Sequence, residues 1–250
     1  MGALHAGHLT LIARAAAEND TTVVSIFVNP AQFGSAADLS HYPRNLDDDI
    51  ASATSAGASI IYAPHASTVY PPGFSTWVEP GSLADRWEGN SRPGHFRGVA
   101  TVVSILLNTV RPDRSYFGEK DFQQLQIIRR MHRDLGLPGQ IVASPTVRDM
   151  DGLALSSRNA RLSSDGRLKA RAIPMAMAMI AEAAQRGVRA SEGLDAAGRQ
   201  ILDHQNLKLD YLAIVDAPTL EPVDVIQDSG RVLIAAEIDG VRLIDNIAIS

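Results

Sequence analysis

Between Thr21 and Val28 the chain reads Thr-Thr-Val-Val-Ser-Ile-Phe-Val and then stops at Asn29-Pro30. A near-continuous β-branched run of this kind suits a strand buried on both faces of a parallel sheet. Helical spacing precedes it at Leu9, Ile12, Ala13 and Ala16. It follows again at Leu46, Ile50, Ala53 and Gly57, ahead of a short strand at Ser59–Tyr62. Residues 63–97 are rich in Pro and Gly, hold both tryptophans, and predict a long excursion with one strand at Thr76–Glu79. The alternation then resumes. Val99, Val102, Val103, Leu106 and Val110 mark an amphipathic helix, and Ser115–Phe117 a strand broken at Gly118. Phe122, Leu125, Ile128 and Leu135 mark a helix stopped by Gly136, and Gln140–Ala143 a further strand. Such alternation predicts the α/β class, a doubly wound parallel sheet with helices on both faces and ligands beyond the strands' carboxyl ends.

The pattern changes after about residue 147. Ser163 or Ser164 can cap a long helix through Gln185, kinked at Pro174, and a second helix is expected over Ser191–His204. Strands follow at Lys208–Val215, Arg231–Ile238 and Val241–Ile247, the last two joined by the hairpin turn Asp239-Gly240. Helices followed by antiparallel strands predict a smaller α+β domain, giving domains 1–147 and 148–250 joined by a close hinge. The 250 residues supply ample core for this, and 45% hydrophobic and 20% charged residues are globular values. A net charge of −5, with no basic run, gives no case for nucleic-acid binding. No cysteine is present, which removes disulfides, thiolate zinc and cysteine nucleophiles. No run approaches the ~18 apolar residues of a membrane span, and no secretory signal opens the chain. A cytoplasmic location is expected.

The chemistry concentrates at expected strand ends and helix starts. The opening Met1-Gly2-Ala3-Leu4-His5-Ala6-Gly7-His8 runs directly into the first helix. Two imidazoles at i and i+3 share one side of its first turn, where free N–H groups and the dipole attract anions. Gly2 and Gly7 allow a phosphate close to the backbone, and the histidines could stabilise charge developing on it. A metal pair or two surface histidines would satisfy the same pattern. Gln32, in Asn29-Pro30-Ala31-Gln32-Phe33, offers an amide for a small polar substrate or a solvated turn. Gly118-Glu119-Lys120-Asp121 combines close approach, a mobile positive charge and a ribose acceptor or helix cap, and Gln124 can face the same cleft. Leu155-Ser156-Ser157-Arg158-Asn159 offers two hydroxyls and a guanidinium, suited to phosphate or to a polar interdomain loop. Asp47-Asp48-Asp49 is a tempting cation site, but adjacent helical residues diverge, and a solvated helix end fits as well. Walker and G-x-G-x-x-G loops are absent. These parts suit a nucleotide beside a second, small polar substrate, with direct attack between the two.

With these residues in view, the chain resembles the pantothenate synthetase (pantoate–β-alanine ligase) family, within the nucleotidyltransferases that carry an H-x-G-H loop. The resemblance runs from Met1 to about Ile247. It rests on MGALHAGH, FVNPAQF, YPRNLDDD, GHFRGVATVV, YFGEKDFQQLQIIRRM, LSSRNARLS and RLIDNI, in that order. It implies a Rossmann-like amino domain and a smaller carboxyl lid. It also implies a two-step reaction: ATP and pantoate give a bound pantoyl adenylate and pyrophosphate, then β-alanine attacks to give pantothenate and AMP. ATP would lie on Met1–His8, that is Met1, Gly2, Ala3, Leu4, His5, Ala6, Gly7 and His8, with His8 and His5 catalytic at the phosphates. Gly118, Glu119, Lys120 and Asp121 would bind nucleotide, Lys120 acting at the phosphates and Asp121 at the ribose. Leu155, Ser156, Ser157 and Arg158 would form a second phosphate loop, with Arg158 catalytic, and Val147 a backbone contact to adenine. Gln32 and Gln124 would hold pantoate, Gln32 also lying near β-alanine. Magnesium would accompany ATP, near Asp48 and Asp49, in a cytoplasmic homodimer without nucleic-acid or membrane partners.

The family carries roughly one more strand and helix ahead of the histidine loop, ending in Pro-Thr. A doubly wound fold likewise expects a strand before that loop. The expectation is therefore a sheet lacking an interior member, with lowered stability and activity for a chain beginning at Met1. Ala6 stands where glutamate is frequent, a change expected to be tolerated. Two other readings remain: an adenylyl- or cytidylyltransferase that releases a nucleotidyl product, and a nucleotide-binding or dimerising fragment without turnover.

Overall fold

The computed structural model of the chain describes residues 2–34, 39, 40, 42, 44–205 and 207–250. The chain divides into two compact units, residues 1–145 and 146–250.

The first unit opens with helix α1 (Ala6–Glu18), followed by strand β1 (Val23–Ser25), helix α2 (Leu46–Ser55) and strand β2 (Ile60–Tyr62). Helix α3 (His95–Val110), strand β3 (Arg114–Gly118), helix α4 (Phe122–Asp134) and strand β4 (Gln140–Ser144) complete it. β1 pairs with β2 and β3 with β4, both parallel and in unbroken register from Val23↔Ile60 and Arg114↔Gln140. Among the described residues no pairing joins the two, so the parallel sheet is interrupted. α1 spans the interruption. Its Ile12 joins Val24 and Ile26 in one apolar cluster, while its Arg14 donates to the Ala143 carbonyl (2.8 Å) and Asn19 to the Tyr116 hydroxyl (2.8 Å).

Two details differ from the sequence reading. The run Thr21–Val28 yields only three strand residues, because β2 offers three partners and the chain turns at Asn29-Pro30. Thr76–Glu79 forms no strand. Instead Val78 donates its N–H to the Thr101 hydroxyl of α3 (3.0 Å), and Trp77 carries the Arg97 guanidinium 4.5 Å from its ring centre. Side-chain partners replace the ladder.

In the second unit, helices α5 (Ser164–Ala170), α6 (Ala172–Gln185) and α7 (Ser191–Leu202) precede strands β5 (Lys208–Asp216), β6 (Gly230–Ile238) and β7 (Val241–Ile249). The expected long helix is divided at Arg171 rather than bent at Pro174. A proline ring excludes the carbonyl four residues earlier, here that of Ala170, so the break falls ahead of the proline. The strands form an antiparallel sheet in the order β5-β6-β7. The hairpin Asp239-Gly240 has both residues at positive φ (53° and 72°), the turn whose twist matches its strands. Ile234, Val232, Ile180, Ile173 and Met177 are almost wholly buried in one cluster where α6 covers the sheet.

Polar groups are buried in this sheet as well, among them Arg231, Asp245 and Asn246. Asp245 of β7 has a side chain only 2% exposed and receives both terminal nitrogens of Arg148, at 2.6 and 2.9 Å. Removing the carboxylate leaves a half-buried guanidinium with only the Gly152 carbonyl (3.0 Å) as partner. Asp245→Ala is therefore expected to lower unfolding free energy by roughly 2–4 kcal/mol, near the range for breaking a buried pair, measured by urea denaturation. Asp195→Ala, which breaks an exposed pair with Arg199, is expected to change it by well under ~1 kcal/mol.

Candidate active site

The loop ahead of α1 turns sharply. Ala3 lies at φ 52°, a left-handed conformation that costs a non-glycine residue energy. The turn is held from α2: Asp49, only 5% exposed, accepts the Ala3 N–H on Oδ2 (2.9 Å) and the Leu4 N–H on Oδ1 (2.7 Å). α1 then begins with its own histidines as caps. His5 Nδ1 accepts the Gly7 N–H (3.2 Å) and His8 Nδ1 accepts the His5 N–H (3.4 Å). Each bond satisfies a first-turn donor and leaves the proton of the neutral ring on Nε2. The two rings are 4.0 Å apart between centres.

Their charge state follows from this packing. Burial, then the neighbouring His5, pushes His8 down to about 3, and burial, then Lys120, lowers His5. Both imidazoles are therefore neutral donors at neutral pH. Lys120 and Asp121 follow β3 and act electrostatically on the pair, their own charged atoms lying 3.9 Å apart. Gly118, at the end of β3, faces Leu11 of α1. Gly2 to His8, Gly118, Glu119, Lys120 and Asp121 thus gather at one end of the first unit; Met1 lies outside the described residues.

The two glutamines stand differently. Gln32 closes a 3₁₀ turn, Pro30–Gln32, capped by the Asn29 side chain, which accepts the Ala31 N–H at 3.2 Å. Asn29 is 3% exposed and fully engaged: its amide donates to the Gly98 carbonyl and to Gln32 Oε1 (both 3.1 Å), and its oxygen accepts from Tyr70 (2.7 Å). Burial raises the Tyr70 phenol to about 12, so it remains a donor. The Gln32 carboxamide is thereby held through its Oε1. A Cβ on Gly98 would lie 2.3 Å from the Ala31 carbonyl oxygen, so α3 can meet this turn only through glycine. In α4, Gln123 is buried and structural, donating to the Leu83 (2.8 Å) and Arg86 (2.9 Å) carbonyls and accepting the Glu88 N–H (3.0 Å). Its neighbour Gln124 is part-exposed and carries no side-chain hydrogen bond among the described residues. Asn29, Gly98 and Gln123 escaped the sequence reading, though asparagine before proline and glycine inside a helical pattern were available signals.

The remaining candidates lie in the second unit, which includes Val147. The Val147 carbonyl accepts the Leu155 N–H (2.9 Å), closing a small hairpin with Arg148 bridged to Ala154. Ser156 caps the 3₁₀ turn Ser157–Arg161 by accepting the Arg158 N–H (3.2 Å), and Asn159 donates to the Ala154 carbonyl (3.0 Å). Arg158 forms no ion pair among the described residues. Of the acidic run, Asp48 is exposed and bonds the Asn45 side chain, whereas Asp49 is committed to the histidine loop. No group of three or more metal-ligating side chains occurs among the described residues.

A parallel α/β unit bearing an H-x-G-H helix start is the frame of the site. The chain belongs to the pantoate–β-alanine ligase family, whose model matches residues 1–248. Pantothenate synthetase of Rhizorhabdus wittichii is 49% identical over 249 residues, 100% of this chain and 88% of that protein. That of Deinococcus radiodurans is 50% identical over 258 residues, 100% of this chain and 92% of that protein. The crystal structure of Thermus thermophilus pantothenate synthetase superposes with a TM-score of 0.94 at 47% identity, covering 99% of this chain and 90% of that one. Francisella tularensis pantoate–β-alanine ligase, solved with β,γ-ATP and β-alanine, gives 0.80 at 36% identity, covering 99% and 87%. The chain is an ATP-dependent ligase of pantoate and β-alanine.

Two outcomes check the site's packing. As pH falls below the ordinary histidine value of 6.5, the unfolded chain takes up a proton that folded His8 refuses until about 3. Stability is thus full above 6.5 and declines on acidification across that window. Urea midpoints of His8→Gln should decline less than those of the parent between pH 7 and 5. Gly98→Ala is expected to destabilise the chain by more than ~2 kcal/mol by the same measurement, because backbone atoms cannot yield to the new methyl.

Proposed function

We propose that ligation proceeds through a pantoyl adenylate. A pantoate carboxylate oxygen attacks the α-phosphorus of ATP and pyrophosphate leaves; the β-alanine amine then attacks the acyl carbon, giving pantothenate and AMP. The observation that carries this reading is the part-buried His5–His8 pair capping α1 beside Lys120, with burial lowering the pKa of both rings. Neutral rings with protonated Nε2 atoms, first-turn N–H groups and a lysine are preorganised donors for charge that grows on phosphate oxygens. His8 and His5 stabilise that charge, Gly2–His8 cradle the phosphates, and Lys120 draws the leaving pyrophosphate. Gly118 and Glu119 shape the nucleotide contact, and Asp121 accepts from the ribose.

Gln32 and Gln124 bind pantoate through its hydroxyl and carboxylate groups, Gln32 also serving the β-alanine position. In the second unit, Ser156, Ser157 and Arg158 supply phosphate donors, with Leu155 and Val147 giving backbone contacts to the nucleotide. Magnesium, when bound, neutralises triphosphate charge; its usual partners are phosphate oxygens and water, and Asp48 is the exposed carboxylate able to assist. A cytoplasmic homodimer completes the family-based reading.

Pyrophosphate without AMP is expected from ATP and pantoate alone, limited to one equivalent per site, and AMP only when β-alanine is added. Steady AMP release without β-alanine would overturn the adenylate scheme, and a free nucleotidyl product would favour a simple transferase. His8→Ala is expected to slow single-turnover adenylate formation by about 10²-fold or more, the cost of losing one transition-state donor. Gln32→Ala and Gln124→Ala should weaken pantoate use by roughly 1–3 kcal/mol each, while calorimetry finds ATP affinity unchanged.

A further inference from the structure

The acidic run at the start of α2 is divided by burial. Asp47 and Asp48 face solvent, and Asp49 alone is enclosed, at 5% exposure. Both of its oxygens are directed at consecutive amides of the loop before α1, at 2.9 Å to Ala3 and 2.7 Å to Leu4. That loop has a reason to need them, because Ala3 occupies a left-handed conformation that only surrounding contacts can maintain. The anchor is reinforced by packing: the Leu4 side chain and Ile50, the residue after Asp49, both pack against the cluster of Ile12, Val24, Ile26 and Ala53. A Cβ on Gly2 would come within 3.1 Å of Val28 and 3.9 Å of Asp49 Oδ2, leaving the loop little lateral freedom. Leu4 is followed at once by His5, whose own N–H bonds His8 Nδ1. One carboxylate therefore sets the backbone from which both imidazoles are presented.

We propose that Asp49 is the positioning residue of the histidine loop: by accepting the Ala3 and Leu4 N–H groups it fixes the turn that aims His5 and His8. Its carboxylate is thereby unsuited to ligating magnesium. A magnesium ion demands near-ideal octahedral ligands and keeps its waters, which an enclosed carboxylate already bonded through both oxygens does not accommodate. The inference rests on the catalytic reading of His8 for its effect on rate, and on geometry alone for its effect on the rings.

The test compares Asp49→Asn and Asp49→Glu with Asp48→Asn as the exposed control. Asparagine keeps one acceptor and turns an NH₂ towards the second amide; glutamate keeps both oxygens but displaces them. Imidazole proton NMR shifts of His5 and His8 are expected to move in both Asp49 variants, with those of His65 and His132 fixed. The kcat for AMP release should fall about tenfold or more, as misplaced catalytic groups do, with KM values little changed. The magnesium concentration at half-maximal rate should stay at the parent value, and Asp48→Asn should leave the His5 and His8 shifts unmoved. Should Asp49→Asn fail to fold by thermal melting, Asp49→Glu carries the same comparison. Unmoved His5 and His8 shifts in a folded Asp49 variant overturn the positioning role. A several-fold rise in the magnesium requirement, with kcat restored at saturating magnesium, would make Asp49 a metal ligand instead. Moved shifts with unchanged kcat would leave positioning intact and overturn the catalytic reading of the histidines.

Discussion

A helix leaves the N–H groups of its first turn without partners, and the way α1 resolves this governs the first unit. Its histidines turn inwards as caps, accepting N–H groups on Nδ1 instead of reaching into water. Burial then lowers the pKa of both, and a like charge 4.0 Å away between ring centres further disfavours a second proton. The outcome is a pair of neutral donors at the positive end of a helix dipole, held from behind by Asp49. The same helix carries the structure between the two parallel strand pairs, so the histidine pair and the link between those pairs fall on one element.

The turn that carries Gln32 relies on a comparable economy of buried polar groups. Asn29 uses both ends of its carboxamide, binding Gly98, Gln32, Ala31 and Tyr70, which fixes the turn that carries Gln32. Gln123 does the same for residues 83–88, which leaves Gln124 as the solvent-facing member of an adjacent pair. A polar side chain with every partner satisfied is part of the scaffold; one placed by that scaffold with capacity to spare can read a ligand. In the second unit the Arg148–Asp245 pair ties β7 to the small hairpin from which Leu155–Arg158 departs. The RLIDNI stretch thus contributes through Asp245 to holding the loop.

The sequence by itself determined the class of fold and the chemistry available. Period-2 and period-3.6 patterns located the helices α1, α2, α3, α4 and α7 and the antiparallel strands closely, because burial of apolar faces dominates their energetics. Asp239-Gly240 named its hairpin, since few residues accept positive φ. The ordered motifs carried the family, and with it His5, His8, Lys120, Gln32 and Gln124 as candidates. Only the tertiary structure decided what each polar residue is for. Asp48 and Asp49 are identical in sequence terms, as are Gln123 and Gln124, yet one of each pair is buried and bonded to distant backbone and the other is not. Local pattern could not separate them, because the partners that fix Asp49 lie 46 and 45 residues away. The strand expected at Thr76–Glu79 failed for a related reason: Thr101 and Arg97, distant in sequence, supplied partners that no sheet edge did. Hydrogen-bond satisfaction in a folded protein is settled by long-range neighbours, and these exist only once the chain has packed.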